Sequence, residues 1–174
     1  MLADDSVLVA DGGDFVATLS YVLRPRKPLS WMDPGPFGTL GVGAGFALAA
    51  KLCRPNADVW LIYGDGSCAY SVAEYDTFIR HNLPVISIVG NDAGWTQIAR
   101  DQVVRFKDDV ATTLRYTDYH IVAQGYGAAG INVKGSDEEV PSALQKAIQT
   151  AKTTPVLLNV HIGKTDFREG SISV

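Results

Sequence analysis

The chain has 174 residues, of which 47% are hydrophobic and 20% charged, and its formal net charge is −4. This composition is typical of one globular domain with a substantial core. The negative charge argues against a nucleic-acid partner, whose binders usually carry a basic face, and no apolar run approaches the roughly 20 residues of a membrane-spanning helix. Cys53 and Cys68 form no metal-binding or redox motif, so we expect two reduced, packed thiols.

The predicted elements alternate between strands and helices along the chain. Apolar runs predict strands at 7–10, 28–31, 59–63, 85–89, 130–133 and 156–162. Helices are predicted at 15–23, 39–52, 67–81, 95–100, 119–124 and 138–152, with a loop or lid over 101–118. Strands that are apolar throughout and alternate with helices indicate an α/β fold, an open and mainly parallel sheet of about six strands with helices on both faces.

The predicted helix at 39–52 is rich in glycine. Gly41, Gly43 and Gly45 each cost about 1 kcal/mol relative to alanine inside a helix. We therefore expect either close packing or a ligand against this backbone.

Two of the predicted strands end in polar side chains that suit a bound cation. Asp65, in Gly64-Asp65-Gly66, follows one strand, and Asn91 follows the next strand, 26 residues later. The carboxyl ends of parallel strands meet at one edge of a sheet, where ligands bind in α/β folds. Mg²⁺ prefers oxygen ligands, so we expect Asp65, Asn91 and the backbone carbonyl of Ala93 to form a cation site; Asp92 is a less favoured ligand.

Backbone amides near the same edge suit a diphosphate. The amides of Gly66, Ser67 and Cys68 are expected to begin a helix, whose N-terminus favours anions, with Ser67 as its cap. The turn at 11–15 offers a second set of amides.

These motifs resemble the signature of thiamine diphosphate enzymes, which is Gly-Asp-Gly, an interval in the mid-twenties, and Asn-Asn. Here the pair is Gly90-Asn91, so glycine replaces the first asparagine and a supporting hydrogen bond is in question, while the metal-binding asparagine is kept. The segment PFGTLGVG at 36–43 resembles the stretch that packs on the aminopyrimidine of the cofactor. The stretches GNDAGWTQIARDQ at 90–102 and TDFREGSISV at 165–174 resemble the acetolactate synthase-like and 2-hydroxyacyl-CoA lyase group.

Nearly the whole chain is similar to the C-terminal cofactor-binding domain of that group, which implies thiamine diphosphate and Mg²⁺ as cofactors. By the resemblance, the carbonyl of Gly38 accepts a hydrogen bond from the 4′-amino group, and Leu40 wedges beneath the bent cofactor. The implied cofactor contacts are Gly13, Asp14, Phe15, Gly38, Thr39, Leu40, Gly64, Asp65, Gly66, Ser67, Asn91, Ala93, Gly94 and Trp95. The implied metal ligands are Asp65, Asn91 and Ala93.

The resemblance also implies a reaction, which is cleavage of a 2-hydroxyacyl-CoA to formyl-CoA and a shortened aldehyde, with the cofactor as electron sink. In the family, the glutamate that activates the cofactor lies on another domain, usually of a neighbouring subunit. No glutamate here lies in a matching motif, so we predict no catalytic residue in this chain and no activity of the chain alone.

We expect residues 1–174 to form a single domain of a longer, multidomain homo-oligomer, because the sequence opens directly on a strand. The resemblance implies the endoplasmic reticulum membrane, with attachment through a segment outside these residues and the catalytic part facing the cytosol. A cytoplasmic location is the alternative.

Other functions compete with the lyase. A carboligase or decarboxylase acting on 2-keto acids shares the same half-site, and a non-catalytic domain would keep the fold without cofactor affinity. A Rossmann-type dinucleotide binder is disfavoured because the first turn lacks Gly-x-Gly-x-x-Gly. Arg100, Arg105 and Lys107 are candidates for the phosphates of CoA, although basic residues on a lid are more often solvated.

Overall fold

The computed structural model describes residues 1–134 and 138–164, so the stretch at 165–174 that contributes to the family resemblance lies outside the described residues. The strands are β1 (Val7–Ala10), β2 (Trp31–Met32), β3 (Val59–Gly64), β4 (Ile86–Asn91), β5 (Ala129–Val133) and β6 (Val156–His161). The helices are α1 (Asp14–Ser20), α2 (Gly43–Cys53), α3 (Asp65–Ser71), α4 (Tyr75–Arg80), α5 (Thr96–Phe106), α6 (Tyr119–Gly125) and α7 (Glu139–Thr150).

The strands of the described residues form one six-stranded sheet in the order β2-β1-β3-β4-β6-β5, and every pair is parallel. Gly64 at the end of β3 pairs with Gly90 near the end of β4. Asp65 and Asn91 each follow one member of that pair, so both lie at the carboxyl edge of the two central strands. The predicted α/β sheet is confirmed.

One face of the sheet is covered by α2, α3, α4 and α6. Their buried residues, which include Ala47, Phe78 and Ala123, pack against strand residues such as Leu61 and Val89 in one hydrophobic cluster. Small alanines on α2 let that helix lie close to the strands, which places its N-terminus beside the end of β1.

The other face is covered by α1 and α7. Ala143 and Ala147 of α7 pack against Trp60 and Ile86, and Val16 of α1 packs against Ile62. Helices therefore lie on both faces, as predicted, and they explain why the strands are apolar throughout rather than alternating.

Several boundaries differ from the predictions. The predicted helix at 67–81 is two helices, because Ser71 leaves helical geometry (φ −132°) and a 3₁₀ turn at Val72–Glu74 separates α3 from α4. α2 begins at Gly43 rather than at residue 39, after a loop that contains a 3₁₀ turn at Gly35–Phe37. α5 continues to Phe106, so the first six residues of the predicted loop at 101–118 are helical.

The expected close approach to the glycine-rich segment is confirmed at two of three positions. A Cβ on Gly43 would lie 2.7 Å from Cβ of Asp11, and a Cβ on Gly41 would lie 2.7 Å from Cβ of Tyr70. Gly45 is exposed, with nothing within 4 Å of such an atom, so close packing within the described residues does not account for glycine there.

Within residues 1–134 and 138–164, none of the helices combines the length and the hydropathy that crossing a bilayer requires.

Candidate functional site

A cleft of about 480 Å³ opens where β1, β3 and β4 end, and its volume lies in the range of about 300–1,000 Å³ that is usual for small-molecule sites. Most of the predicted cofactor contacts line it: Gly13, Asp14, Phe15, Gly38, Leu40, Gly64, Asp65, Gly66, Ser67, Gly94 and Trp95. Thr39 does not line the cleft and is exposed. Asn91 and Ala93 are buried in the turn whose other members, Asp92 and Gly94, do line it.

Asp65 bridges two turns at this edge of the sheet. Its Oδ1 accepts a hydrogen bond from the amide of Gly66 (2.9 Å), and its Oδ2 accepts one from the amide of Gly94 (3.1 Å). The side chain is only 2% exposed. The carboxylate is therefore held between the turn after β3 and the turn after β4.

Asn91, the last residue of β4, is fully buried and makes contacts at both ends of its carboxamide. Its Nδ2 donates to the carbonyl of Thr117 (3.0 Å) and to Oδ1 of Asn159 (3.1 Å), while its Oδ1 accepts from the amide of Ala93 (3.3 Å). Ala93 has a left-handed backbone (φ 56°), and its carbonyl accepts from the amide of Leu114 (2.9 Å). That carbonyl keeps a second lone pair for another partner.

The electrostatics of this corner favour a cation. Burial, together with the neighbouring carboxylate of Asp92, raises the pKa of Asp65 to about 6, against the opposing effect of the Gly66 and Gly94 amides. Burial also raises the pKa of Asp92, whose carboxylate accepts a hydrogen bond from the hydroxyl of Thr96 (2.5 Å). Burial raises the proton affinity of both carboxylates, and a positive charge beside them would stabilise their ionised forms.

A cation here would rely on few charged ligands. Across the described ranges 1–134 and 138–164, no three side chains of His, Cys, Asp or Glu are grouped as a metal site. Its ligands would be the carboxylate of Asp65, the amide oxygen of Asn91, a carbonyl and the oxygens of a bound ligand, which is the shell that Mg²⁺ usually takes.

Two glycines at the edge make room for aromatic rings. A Cβ on Gly66 would lie 2.5 Å from the ring of Trp95, so glycine at this position makes room for that side chain. A Cβ on Gly90 would lie 2.1 Å from Cγ of Phe15. Glycine at position 90 therefore leaves room for the ring of Phe15, which a larger residue there would meet.

The opposite side of the cleft comes from the loop before α2. Leu40 contacts the turn after β1, since a Cβ on Gly12 would lie 2.6 Å from its Cδ2. Ser67, predicted as the cap of α3, lies inside that helix instead; α3 begins at Asp65 without a side-chain cap, and Oγ of Ser67 donates to the carbonyl of Gly12 (3.3 Å).

Sequence reasoning missed the role of Asp11. This fully buried carboxylate accepts hydrogen bonds from the amides of Gly41 (2.9 Å) and Gly43 (3.0 Å). It thereby ties the end of β1 to the loop that carries Leu40. Burial raises the pKa of Asp11 to about 6, against the opposing effect of these amides. The available signal was an aspartate that ends a buried strand directly before two glycines.

Sequence reasoning also misplaced Arg100. Its guanidinium pairs with the carboxylate of Asp14 at the start of α1, and its side chain is 17% exposed. The interpretation of Arg100 as a solvated lid residue is therefore wrong. Arg105 does conform to that interpretation: its side chain is 70% exposed, and it pairs with Asp101 on the same helix (3.6 Å).

A comparison with protein families identifies the fold and the cleft together. The family model described as "Thiamine pyrophosphate enzyme, C-terminal TPP binding domain" matches residues 11–160, from the end of β1 into β6. The chain belongs to this family. Thiamine pyrophosphate, or TPP, is another name for thiamine diphosphate, so the resemblance read from the motifs is confirmed.

The relatives of this TPP-binding domain are longer enzymes. The chain is 59% identical over 176 residues to "2-hydroxyacyl-CoA lyase 2" of Danio rerio, covering 100% of this chain and 28% of that protein. It is 55% identical over 175 residues to the Homo sapiens protein of the same name, covering 99% and 28%. A "Probable acetolactate synthase" of Mycobacterium bovis is 37% identical over 163 residues, covering 92% of this chain and 29% of that protein.

The residues present fit a diphosphate with a cation. The donor set at the corner of the cleft consists of oxygens alone, and two of the carboxylates beside it are buried with raised pKa values. The first amides of α3 have no intrahelical partner; that of Gly66 donates to Oδ1 of Asp65, and no N-cap side chain accepts from the others. Carboxylates and the amides that begin a helix thus lie side by side, as a metal-bound diphosphate requires.

Proposed function

We propose that this TPP-binding domain holds thiamine diphosphate through Mg²⁺ as one half of the active site of a carbon–carbon lyase. The reaction is cleavage of a 2-hydroxyacyl-CoA to formyl-CoA and a shortened aldehyde. The observation that carries the proposal is the convergence of the Asp65 carboxylate and the Asn91 amide oxygen on a single turn at residues 93–94. The substrate class is supported by the names of relatives that are 55–59% identical.

The residues of this chain bind and orient. Asp65, Asn91 and the carbonyl of Ala93 would hold the cation, and the amides at the start of α3 would hold the diphosphate. Leu40 and Gly38, on the other side of the cleft, would support the ring system. When bound, the cofactor supplies an electron sink for breaking a bond beside a carbonyl carbon.

The remainder of the site would come from outside this chain. The described residues place no glutamate in the cleft. We therefore propose that a glutamate from another domain, on a neighbouring subunit of a homo-oligomer, completes the site and that acyl-CoA binds there.

A second candidate is carboligation or decarboxylation of 2-keto acids. The 37% identity to a protein named probable acetolactate synthase favours it. Because the cofactor half-site would be the same, only turnover of pyruvate against turnover of 2-hydroxyacyl-CoA separates the two activities.

Calorimetry tests the cofactor site directly. We expect the chain to bind thiamine diphosphate, and also inorganic pyrophosphate, when Mg²⁺ is present and not when EDTA removes it. Asp65→Ala and Asn91→Ala should each lose this binding, because each removes an oxygen ligand from the cation.

The matched control is Asp76→Ala, which removes an exposed carboxylate on α4 whose partner is Arg80. Its affinity should equal that of the wild type. Binding that is unchanged in both site variants, or equally strong for thiamine without its diphosphate, would contradict the proposed site.

A further inference from the structure

Asn159 is a polar side chain in the middle of a buried, apolar strand. It lies in β6, between β4 and β5, and is 0% exposed. Its Nδ2 lies 3.2 Å from the carbonyl of Thr117, 3.5 Å from Oδ1 of Asn132 and 3.3 Å from Nε2 of His161. Its Oδ1 accepts from Nδ2 of Asn91 (3.1 Å). A buried carboxamide is costly unless it is paired, and nothing about β6 as a strand requires one.

The carbonyl of Thr117 determines which way both carboxamides point. A backbone carbonyl only accepts hydrogen bonds. Asn91 and Asn159 both approach it, at 3.0 and 3.2 Å, so each must present its nitrogen there. With its nitrogen so placed, Asn159 turns its oxygen toward Asn91.

The orientation of Asn91 follows from these two acceptors. The two hydrogens of its Nδ2 are taken by Thr117 and Asn159. Its Oδ1 is left facing the amide of Ala93, in the turn whose next amide, that of Gly94, binds Asp65. The oxygen is thus presented on the side of the carboxylate, and the nitrogen is turned away from it.

We propose that Asn159 is a positioning residue for the cation site, which holds the carboxamide of Asn91 with its oxygen, and not its nitrogen, toward Asp65. An amide nitrogen with two hydrogens has no lone pair for a cation, so a flipped Asn91 is not a ligand. The inference rests on the proposed Mg²⁺–diphosphate site and adds to it a residue one strand further away. Groups that orient metal ligands commonly change metal affinity by about 10–100-fold.

Two substitutions at position 159 separate positioning from packing. Asn159→Leu keeps the approximate volume and removes the acceptor for Asn91. Asn159→Asp keeps an acceptor at the same place and removes the donor to Thr117. Asn132→Leu, at the paired position of β5, is the matched control, because Asn132 contacts Asn159 and lies one strand further from Asn91.

The measurement is the dissociation constant of Mn²⁺ with inorganic pyrophosphate, by electron paramagnetic resonance, beside the melting temperature of each variant without ligand. We expect Asn159→Leu to weaken Mn²⁺ binding about 10–100-fold. For Asn159→Asp and Asn132→Leu, the dissociation constant of Mn²⁺ should be no more than about threefold above that of the wild type. A purely structural role would lower the melting temperature of Asn159→Leu and leave its Mn²⁺ affinity unchanged, which would overturn the inference.

A measurement on the wild type covers the case in which Asn159→Leu does not fold. In ¹⁵N-labelled protein, the side-chain NH₂ of Asn91 should exchange with solvent more slowly than that of Asn56, an exposed turn residue, with and without Mg²⁺–pyrophosphate. Exchange as fast as that of Asn56 would overturn the inference. If the wild type binds no Mn²⁺–pyrophosphate at all, the proposed function fails; if it binds and Asn159→Leu binds equally well, only the positioning role fails.

Discussion

Asp11 ties the end of β1 to the loop that forms one side of the cleft. Its carboxylate accepts hydrogen bonds from the amides of Gly41 and Gly43, which lie 30 and 32 residues further along the chain. Leu40 is adjacent to Gly41 and lines the cleft. A fully buried charge is kept there because two amides that lack another partner need an acceptor.

The stability contributed by Asp11 should depend on pH. Its pKa is 3.8 in an unfolded chain and about 6 in the fold, so the folded state holds more protons between these values and loses stability as pH rises through them. The difference corresponds to about 3 kcal/mol. We therefore expect the free energy of unfolding of the wild type, minus that of Asp11→Asn, to fall by up to about 3 kcal/mol from pH 4 to pH 7, in urea titrations.

The control for loss of a carboxylate is Asp76→Asn, on the surface of α4. The free energy of unfolding of Asp76→Asn should stay within about 0.5 kcal/mol of that of the wild type at each pH in the same titrations. A difference for Asp11→Asn that rises with pH would mean that the fold prefers the ionised carboxylate, contrary to the expectation.

At the scale of elements, α5 covers the mouth of the cleft with little packing of its own. None of its residues is buried, and side chains such as Val104 and Phe106 are 68% and 74% exposed. The ring of Trp95 lies on Gly66 just before the helix, and Gln102 donates to carbonyls of the following loop at 108–110. In the middle of the helix, Arg100 pairs with Asp14 and so joins α5 to α1.

Replacing Arg100 by Gln should loosen α5 without unfolding the domain. A hydrogen bond to a charged, largely buried partner contributes about 1.5–3 kcal/mol, so hydrogen exchange of the amides at 96–106 should quicken about tenfold or more, while exchange in β3 and β4 stays unchanged. Hydrogen–deuterium exchange with mass spectrometry measures both. Arg105→Gln breaks the exposed pair with Asp101 on the same helix and should leave the exchange rates of both α5 and the two strands unchanged. Equal exchange rates of α5 in the two variants would show that the Arg100–Asp14 pair does not hold the helix.

At the scale of the whole molecule, the domain is a scaffold that presents one set of ligands at one edge of a parallel sheet. Parallel strands bring β1, β3 and β4 to that edge, and helices on both faces bury the strands and leave only the turns for the cofactor. The chain spans about 28% of the length of the lyase relatives. Under the proposed function, the chain holds one half of the site and turns over a substrate only when the other half is present.

Activity should therefore appear only when this domain is joined to the remaining domains of a lyase relative. We expect the chain alone to turn over neither 2-hydroxyacyl-CoA nor pyruvate. Exchanged for the matching 28% of the Danio rerio lyase, it should support cleavage of 2-hydroxyacyl-CoA, with release of an aldehyde as the readout, and lose it on Asp65→Ala. Acetolactate formed from pyruvate by the same chimera, without aldehyde from the acyl-CoA, would favour the synthase alternative.

The sequence by itself determined the order of strands and helices, the parallel sheet, and the placing of Asp65 and Asn91 at one edge. These follow from local patterns: apolar runs, glycine turns, and a spacing that one helix and one strand fill. It did not show that Ser67 lies inside α3, because the start of a helix depends on where the preceding strand ends.

Only the tertiary structure decided the contacts that support the site. Asp11 reaches Gly41 across 30 residues, Asn91 reaches Asn159 across 68, and Arg100 reaches Asp14 across 86. Each pair joins polar groups from separate elements whose meeting depends on how the sheet stacks them, so neither partner carries a periodicity or spacing that marks the other. The proposed ligands of the cofactor could be predicted from the sequence, and the polar partners that contact them could not.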